Sequence, residues 1–411
     1  MSATAGTDTG ESMNPAPLPM INPVRPYAWG SRTAIAALQG REPSGAPEAE
    51  LWMGAHPAAP SLLETPSGQA SLVDLIAADP ETMLGSAVTD AFGPRLPFLL
   101  KILAADRPLS LQVHPSPEQA RAGYDREERA GVPLDAAERN YRDPYAKPEL
   151  ICALEPFEAL CGFREPVEAA ALLDGLGVPE LAPVVKLLAG GGLRAAVGEA
   201  LTLPEEERGP LVTRVVEACA RVPELAWAAE LARHHPGDPG VVIALCMNRV
   251  RLAPGEAMYV PAGQPHSYLR GVGVEIMGAS DNVLRGGLTG KHIDIPELLR
   301  ILSAEPGEPA LVSPSRPDPS SGEEVYLTPA CEFRLSRVRL DGRAVLSASG
   351  PRVVLGTAGE VRVRGTDGAA LEVPPGRSVF VPAAAGTITL DGAGTVFVAA
   401  VGGEARGGFR A

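Results

Sequence analysis

Two separate stretches of this chain repeat one pattern of strands and turns. Residues 250–269 are VRLAPGEAMYVPAGQPHSYL, and residues 371–390 are LEVPPGRSVFVPAAAGTITL. Each stretch has an apolar run, a Pro-Gly turn, a second apolar run ending in Val-Pro, a turn of small residues and a third apolar run. His266 in the first stretch corresponds to Thr387 in the second. The repeat predicts two related β barrels, only one of which carries the histidine.

The rest of the chain predicts a helical segment between strand-rich parts. The 45 glycines and 42 prolines separate short apolar runs, such as LPFLLKIL (96–103) and PELICAL (148–154), which indicates strands. Residues 165–235 are instead rich in Ala and Leu at helical spacing, and strand patterns return at 240–260. The polar stretch 116–131 predicts a helix or a loop. We therefore expect a mainly β protein with an α-helical insertion. Its expected parts are a disordered tail (1–20), the first part of a β domain (21–160), the helical insertion (161–238), the second part of that domain (239–304), a linker (305–324) and a C-terminal β domain (325–411).

Charge and cysteine content exclude several classes of protein. The formal net charge of −14 argues against a protein that coats nucleic acid. The five cysteines include no pair at C-x-x-C spacing, which predicts neither a disulfide framework nor a cysteine-based zinc site. The first 20 residues lack the basic and apolar regions of a secretory signal, and no run approaches the length of a membrane span. We expect a cytoplasmic protein that binds neither nucleic acid nor membranes.

Lysine is scarce in this chain, so each lysine is a candidate for a specific task. Only four of the 36 basic residues are lysines. Because the chain makes its routine surface cations from arginine, the compact ammonium group of a lysine is not interchangeable with them. The four are Lys101, Lys147, Lys186 and Lys291.

The segment PLSLQVHP has the pattern of a strand that lines a polar cavity. In an extended strand alternate residues share a face, so Ser110, Gln112 and His114 point one way and apolar residues point the other. An ordinary half-exposed strand would show the same alternation. The segment therefore indicates a polar face without assigning its use.

Two further segments supply a carboxylate and a second imidazole. In YRDPYAKPEL, Lys147 and Glu149 share a face if a strand begins there, although a surface ion pair in a turn is the alternative. In GEAMYVPAGQPHSYL, the glycines and proline predict a tight hairpin that directs His266 into a barrel. This spacing is similar to the second half of the cupin metal motif, with Arg270 where that pattern usually has Asn. A buried core histidine is the alternative for His266.

Four residues from these segments together form the ligand set of a divalent metal. They are Gln112, His114, Glu149 and His266. Two imidazoles, an amide oxygen and one carboxylate suit a borderline cation such as Zn²⁺. A site with a single anionic ligand keeps a net positive charge, and can polarise a sugar carbonyl or hydroxyl group.

A dense cluster of charged residues follows His266. The segment VEIMGASDNVLRGGLTGKHIDI mixes both signs of charge with glycines, which is unusual for a plain surface loop. A surface loop is still the simplest alternative. The polar residues of the cluster are Glu275, Asp281, Asn282, Arg285, Lys291, His292 and Asp294.

The sequence resembles the type I phosphomannose isomerases. The motifs that carry the resemblance are ELWMGAHP, LPFLLKILAADRPLSLQVHP, Y-x-D-x3-K-P-E and H-x-Y-L-x-G-x3-E-x-M-x2-S-D-N-x-L-R-x-G-x-T-x-K. They occur in the family's order, and the resemblance covers nearly all of the chain from about residue 21. It implies two cupin (jelly-roll) β-barrel domains with a helical subdomain, the second barrel free of metal.

The resemblance also implies a site and an activity. One Zn²⁺ per chain would be held by Gln112, His114, Glu149 and His266, and Arg285 would be the catalytic arginine. Other cavity residues would be Trp29, Lys101, Ser110, Lys147, Glu275, Asp281 and Lys291, with Ser110 and Lys291 facing the phosphate group. The implied reaction interconverts mannose 6-phosphate and fructose 6-phosphate through a cis-enediol, feeding GDP-mannose metabolism. A monomer with a sugar phosphate as its small-molecule partner is expected.

The catalytic base stays open among Asp281, Glu275 and Lys147. Two other functions also stay open. An isomerase or epimerase for another sugar phosphate would use the same chemistry, and a non-catalytic sugar-binding cupin would not need the arginine and lysines.

The sequence departs from the family at several positions. The usual N-H-K-P-E is replaced by a segment with Tyr145 and Ala146, so a histidine cannot act in proton transfer there. Gly286 and Gly290 replace Ala and Pro, which predicts a more flexible loop around the catalytic arginine. Ser267 replaces the Ala that usually follows the histidine ligand. No departure removes a metal ligand.

Overall fold

The computed structural model of the protein describes residues 16–403, apart from residues 318, 320, 321, 348 and 367. Within these residues the chain forms two large antiparallel sheets, one of eleven strands and one of nine, with helices packed around them. The mainly β architecture with helices that the sequence predicts is thus confirmed.

The strands of the first part of the chain precede a long helical segment. They are β1 (Leu18–Ile21), β2 (Val24–Arg25), β3 (Glu50–Met53), β4 (Leu62–Thr65), β5 (Gly68–Ser71), β6 (Phe98–Ala105), β7 (Gln112–Val113), β8 (Glu149–Ala153) and β9 (Phe157–Phe163). The strands that follow are β10 (Met247–Leu252), β11 (Ala257–Val260), β12 (His266–Gly278), β13 (Leu284–Arg285), β14 (Ala310–Val312), β15 (Glu323–Tyr326), β16 (Arg334–Leu346), β17 (Arg352–Arg364), β18 (Ala370–Glu372), β19 (Ser378–Val381) and β20 (Ile388–Ala400).

Half of the α-helices formed by the described residues lie in one stretch between β9 and β10. The α-helices are α1 (Ala34–Leu38), α2 (Leu72–Ala78), α3 (Pro80–Leu84), α4 (Ser86–Phe92), α5 (Pro117–Arg129), α6 (Pro166–Gly175), α7 (Ala182–Ala189), α8 (Leu193–Leu201), α9 (Glu205–Cys219), α10 (Ala226–His234), α11 (Gly240–Leu245) and α12 (Ile295–Ile301). Short 3-10 turns occur at Pro179–Leu181, Pro223–Leu225 and Ala383–Ala385. None of the helices formed by the described residues is both long and apolar enough to cross a membrane.

The predicted helical segment is confirmed, but its C-terminal limit is wrong. Residues 240–245 form α11, whereas the sequence predicts strand patterns from 240 onward. The segment GVVIAL is continuously apolar, and a short run of this kind cannot be assigned to helix or strand by periodicity. All six of its residues are buried, so packing against the other helices decides the conformation.

The polar stretch before the carboxylate segment forms a helix rather than a loop. Ser116 caps α5 by accepting the Gln119 backbone N–H, and the Gln119 side chain accepts the Ser116 N–H in return. Pro117 occupies the first helical position, where its missing N–H costs nothing. These signals all lie in the sequence SPEQ.

A buried carboxylate joins α5 to α12. Glu297 accepts hydrogen bonds from Arg126 of α5, from the hydroxyl group of Tyr141 and from Arg300 one turn further along α12. Burial raises the pKa of Glu297, but hydrogen bonds from Arg300 and Tyr141 outweigh it and hold the pKa at about 2 instead of 4.5. The ionised carboxylate therefore stabilises the contact between these elements at neutral pH.

The internal repeat corresponds to two equivalent sets of strands. In the first set a turn joins β10 to β11 and β12 follows, and in the second a turn joins β18 to β19 and β20 follows. Gly255 and Gly376 occupy the two Pro-Gly turns with φ of 89° and 72°. An L side chain rarely adopts this left-handed conformation, which explains the glycine in both turns.

The N-terminal strand pairs with the C-terminal part of the chain, which corrects the predicted tail. Residues 18–20 belong to β1, where Leu18 lies opposite Phe380 and Met20 opposite Ser378. Met20 is buried, so apolar packing holds a segment that looked polar as a whole. Residues 1–15 of the predicted tail lie outside the described residues. Strands β4 and β5 also belong to this nine-stranded sheet.

The predicted linker is partly a strand as well. Within 305–324, strand β14 pairs with β11 of the eleven-stranded sheet, and residues 323 and 324 begin β15 of the other sheet. Proline-rich composition marked this stretch as a connection, but short strands at sheet edges tolerate proline nearby.

Strand β7 is shorter than the predicted strand over 108–115. Prolines at both ends restrict regular pairing to Gln112 and Val113. Leu109 and Leu111 nevertheless donate their backbone N–H groups to carbonyl groups of neighbouring segments. The segment is therefore anchored to the sheet although it is not a regular strand.

Candidate metal centre and active site

Three side chains from separate strands meet at a buried position of the eleven-stranded sheet. His114 follows β7, Glu149 begins β8 and His266 begins β12. His114 Nε2 lies 3.1 Å from Glu149 Oε1, and His266 Nε2 lies 3.2 Å from Glu149 Oε2. Their ligand-type atoms all lie within 4.8 Å of one another. The structure thus brings together three of the four residues that the sequence predicts as metal ligands.

Main-chain carbonyl groups orient both imidazoles. His114 Nδ1 lies 2.8 Å from the Asn282 carbonyl oxygen, and His266 Nδ1 lies 3.1 Å from that of Gln264. Because a carbonyl oxygen only accepts, each Nδ1 carries a proton, and in a neutral ring Nε2 is then the nitrogen that has a lone pair for a metal. His114 Nε2 is buried and has no hydrogen-bond partner among the described residues. This is the arrangement of histidines that bind a metal through Nε2.

The fourth predicted ligand, Gln112, lies beside these residues through strand pairing. Gln112 of β7 is opposite His266 of β12 on one side and opposite Arg285 of β13 on the other. Directly opposed side chains of an antiparallel pair project to the same face. Gln112, His266 and Arg285 therefore share a face, and Gln112 is only half-buried.

Lys147 lies next to the shared carboxylate. Its Nζ atom is 3.0 Å from Glu149 Oε1, and the side chain is 10% exposed. Burial raises the pKa of Glu149, but the charge of Lys147 is the largest of the effects that outweigh it and hold the pKa well below its usual range. Burial and the Lys147 charge lower the pKa of His114 to about 4, so this ring is neutral at pH 7. An anionic carboxylate between two imidazoles is suited to a divalent cation.

A second buried cluster surrounds Lys101. Lys101 of β6 lies directly opposite Glu275 of β12, with Nζ 3.0 Å from Glu275 Oε2 and 3.5 Å from Glu50 Oε1. Trp52 donates its indole N–H to the other oxygen of Glu50 at 2.6 Å. Burial lowers the pKa of Lys101, but the two carboxylates outweigh it and the pKa is raised overall. Burial raises the pKa of Glu275 despite its lysine partner.

Asp281 forms a dyad with a buried histidine. His56 Nε2 lies 3.2 Å from Asp281 Oδ1, and His56 Nδ1 accepts the N–H of Ala58. With Nδ1 acting as acceptor, a neutral His56 carries its proton on Nε2 and donates it to the carboxylate. Burial raises the pKa of Asp281, but the hydrogen bond from His56 outweighs it and lowers the pKa overall. The Asp281 side chain is 44% exposed and therefore accessible to a ligand.

Three cations gather at the end of this site. Arg285 is half-buried, and burial together with the charge of Arg142 lowers its pKa. Burial, Arg285 and Arg142 lower the pKa of Lys291 in the same way. The pKa values of Arg285 and Lys291 are lowered partly because positive charges lie close together. A group of cations of this kind suits a dianionic ligand. Ser110, a further predicted phosphate contact, is half-buried two residues before Gln112.

Trp29, Tyr145 and Ala146 have other surroundings. Trp29 is half-buried, stacks on Tyr27 and packs against the apolar cluster around β9 and β12. The Tyr145 ring lies beneath the guanidinium of Arg95 at 3.5 Å, and Ala146 is buried. Tyr145 and Ala146 line a cavity of about 530 Å³.

Sequence reasoning missed several residues of the site. His56 lies in the motif ELWMGAHP and is one of only six histidines, so its scarcity was an available signal. Asn282 lies inside the charged cluster that the sequence analysis singled out. Glu50 carried no separate signal, and Arg142 was hidden because arginine is the common cation of this chain.

The chain was compared with known proteins. The family model described as phosphomannose isomerase type I, catalytic domain, matches residues 18–166. A mannose-6-phosphate isomerase from Escherichia coli is 39% identical over 383 residues, which cover 91% of this chain and 97% of that protein. One from Homo sapiens is 33% identical and covers 80% of this chain and 83% of its own length. A zinc-bound crystal structure of a mannose 6-phosphate isomerase superposes with a TM-score of 0.87 at 36% identity, covering 94% of this chain and 99% of that one. This chain belongs to the type I phosphomannose isomerase family.

Proposed function

We propose that this protein is a zinc-dependent isomerase that interconverts mannose 6-phosphate and fructose 6-phosphate. The observation that carries the proposal is the buried cluster of His114, Glu149 and His266, with Gln112 and Arg285 opposed on the neighbouring strands. Metal ligands and a fixed guanidinium on one face are what an enediol reaction requires, because its barrier is largely the cost of forming an oxyanion. The similarity to a zinc-bound mannose 6-phosphate isomerase supports the same metal.

The donor set fits one Zn²⁺ per chain. Gln112, His114, Glu149 and His266 would hold it, and the buried Nε2 of His114 would gain the partner that the protein does not provide. Nitrogen and oxygen ligands around a single carboxylate are typical of zinc. Zinc bound there would polarise a sugar oxygen and stabilise negative charge on it.

Asp281 is the candidate base that a substrate can best reach. Glu275 is engaged by Lys101, and Lys147 by Glu149, whereas the Asp281 carboxylate is 44% exposed. We assign Asp281 the removal of the C2 proton from the open-chain aldose. The C–H electrons then form the C1–C2 double bond of the enediol, and the negative charge moves to the C1 oxygen. Transfer of the O2 proton to O1, together with return of a proton from Asp281 to C1, yields the ketose.

Arg285 and Lys147 complete the reaction. Arg285 keeps its charge throughout, so it stabilises the enediolate oxygens without exchanging a proton. The Lys147 ammonium group, held against Glu149, would donate hydrogen bonds to the sugar oxygens. The phosphate group would lie toward Ser110 and Lys291, with Arg142 as a further cation. These local charges overcome the overall net charge of −14 for an anionic substrate.

The finer architecture is also part of the proposal. We infer that each sheet forms a cupin jelly roll, that residues 161–238 are an insertion in the catalytic barrel and that the C-terminal barrel binds no metal. An apolar cluster formed by β16–β20 supports this, because it consists only of aliphatic residues. We also propose that the protein is a cytoplasmic monomer and that Trp29 lies at the cavity wall. Its reaction would supply GDP-mannose metabolism.

A coupled assay on zinc-loaded and chelator-stripped protein tests the function. Fructose 6-phosphate formed from mannose 6-phosphate should disappear on stripping and return with zinc. Gln112→Ala should lower zinc content, whereas Arg285→Lys should retain zinc and lose activity. A zinc-free Gln112→Ala protein with full activity would disprove the ligand assignment, and saturable substrate binding without turnover would indicate a sugar-binding protein.

One observation favours a second candidate, an isomerase for another sugar phosphate. Tyr145 and Ala146 replace the usual Asn-His directly before Lys147 and close in sequence to the candidate ligand Glu149. A panel of aldose and ketose phosphates, assayed with the same zinc-loaded protein, separates the two functions. The mannose assignment fails if another sugar phosphate reacts with a higher kcat/KM.

A further inference from the structure

The loop that carries the cationic end of the site packs directly against the first turn of α11. A Cβ atom on Gly240 would lie 2.7 Å from Leu288 N and 2.9 Å from Gly287 Cα. A Cβ atom on Gly287 would lie 2.6 Å from Gly240 Cα. No side chain fits between these backbones, so the helical segment touches the loop at its centre, between Arg285 and Lys291.

The carboxylate of Asp238 bonds both to the first turn of α11 and to the loop. Asp238 Oδ1 accepts the N–H of Gly240 at 2.7 Å, and Asp238 Oδ2 accepts the N–H of Thr289 at 2.9 Å. Thr289 Oγ1 in turn accepts the N–H of Lys291 at 3.1 Å. Because both carboxylate oxygens bind backbone N–H groups, Asp238 holds the loop and leaves its cations to a ligand.

The centre of the loop adopts a conformation that requires such support. Leu288 has φ of 54° and is buried, and residues with a branched side chain rarely adopt this left-handed conformation. Strain of this kind persists where the surroundings hold it in place. Gly286 and Gly290 predict a flexible loop, and the residues between them are in close contact with α11.

We propose that Asp238 is a positioning residue through which the helical segment sets the loop for the phosphate group of the substrate. The inference rests on the proposed function, since it assumes a phosphorylated sugar. Arg285 has a second restraint, because it lies opposite Gln112 in the β13–β7 pair. Lys291 lies beyond that pair and depends on the route through Thr289.

Substitution of Asp238 should therefore weaken phosphate binding more than turnover. In Asp238→Ala we expect the KM for mannose 6-phosphate and the inhibition constant of inorganic phosphate each to rise about tenfold. The kcat should change by less than about threefold, because the strand pair keeps Arg285 in place. Asp238→Asn retains one acceptor oxygen and should fall between wild type and Asp238→Ala. Unchanged KM and phosphate inhibition in a folded, zinc-bound Asp238→Ala protein would overturn the proposal.

Two glycine variants provide a matched pair. Gly240→Ala forces a methyl group against the loop backbone, whereas an added Cβ on Gly175, at the end of α6, meets nothing within 4 Å. We expect Gly240→Ala to raise the phosphate inhibition constant as Asp238→Ala does, and Gly175→Ala to match wild type. Equal values for the two glycine variants would contradict the proposal. If Gly240→Ala does not fold, the Asp238→Asn and Asp238→Ala series decides alone.

Direct binding separates this inference from the proposed function. Calorimetric titration with inorganic phosphate measures the cationic end without turnover. Weaker phosphate binding in Asp238→Ala supports the positioning role even if wild type fails to convert mannose 6-phosphate, which would refute only the substrate assignment. Equal phosphate affinity of wild type and Asp238→Ala would refute the positioning role even if wild type is fully active.

Discussion

Asn282 should couple the metal centre to the stability of the loops around it. Its side chain is fully buried, and its Oδ1 atom accepts the N–H groups of Arg142 at 2.8 Å and Asp143 at 3.3 Å. Its Nδ2 atom donates to the carbonyl oxygens of Asp143 at 2.7 Å and Tyr145 at 3.0 Å. Its own carbonyl oxygen accepts a hydrogen bond from His114 Nδ1. One residue thus clamps the loop before β8 and orients a candidate zinc ligand.

The expected magnitudes follow from these contacts. A buried hydrogen bond contributes about 1 kcal/mol net, so Asn282→Ala should lower the free energy of unfolding by roughly 3–5 kcal/mol. Asn282→Asp keeps the two accepted hydrogen bonds but turns an anionic oxygen toward two carbonyl groups. It should lower the free energy of unfolding by roughly 2–4 kcal/mol. Displacement of the carbonyl partner of His114 should weaken zinc binding by about 10–100-fold in both variants.

Urea denaturation of zinc-free protein and zinc competition with a chelating dye measure the two effects separately. Asn248→Ala is the matched control, because Asn248 also donates to two backbone carbonyl groups, those of Phe163 and Gly307. The control should lose about 1–2 kcal/mol of stability and keep wild-type zinc affinity. Zinc affinities of Asn282→Ala and Asn248→Ala that agree with each other would refute the role of Asn282 in orienting the ligand.

Three further predictions concern buried charges. His56→Phe removes the donor that helps to lower the pKa of Asp281 and should move the acid limb of the kcat/KM profile to higher pH, whereas His56→Gln, which keeps a donor, should leave it close to wild type. Lys101→Met leaves Glu275 buried without its cation and should lower the free energy of unfolding by about 3–5 kcal/mol in urea, more than Glu275→Gln does. Glu297 contributes stability that is complete above its unfolded pKa and is lost as the pH falls toward about 2, because hydrogen bonds hold its folded pKa below 4.5. Urea denaturation should therefore show a deficit of about 1–2 kcal/mol in Glu297→Gln at pH 7 that shrinks below pH 4.5, and a deficit independent of pH would contradict this.

The sequence alone predicted the elements whose signals are local. The Pro-Gly turn at Gly255 and the spacing to His266 specify a hairpin, and the structure has β11, a tight turn and β12 there. The residue types of His114 and Glu149 predicted them as metal ligands, and the structure places the two side chains together.

Local sequence patterns could not predict the long-range contacts. The pairing of Leu18 with Phe380 joins the two ends of the chain, and no short pattern encodes it. The GVVIAL segment became helix α11 because of what packs around it rather than its own preference. The contact of His56 with Asp281 joins two loops that the sequence separates widely, so composition could flag His56 as scarce but not name its partner.

Three contacts between segments that are far apart in the sequence have the same role at the site. The carbonyl group of Asn282 orients His114, His56 orients Asp281, and Asp238 holds the loop that carries Lys291. In each case the group that does the chemistry comes from one segment, and the group that fixes its direction comes from another. A rate that depends on fixed charges around an oxyanion is sensitive to small displacements of those charges. Substitutions at the orienting residues should therefore change affinity and rate while every ligand and catalytic group is still present.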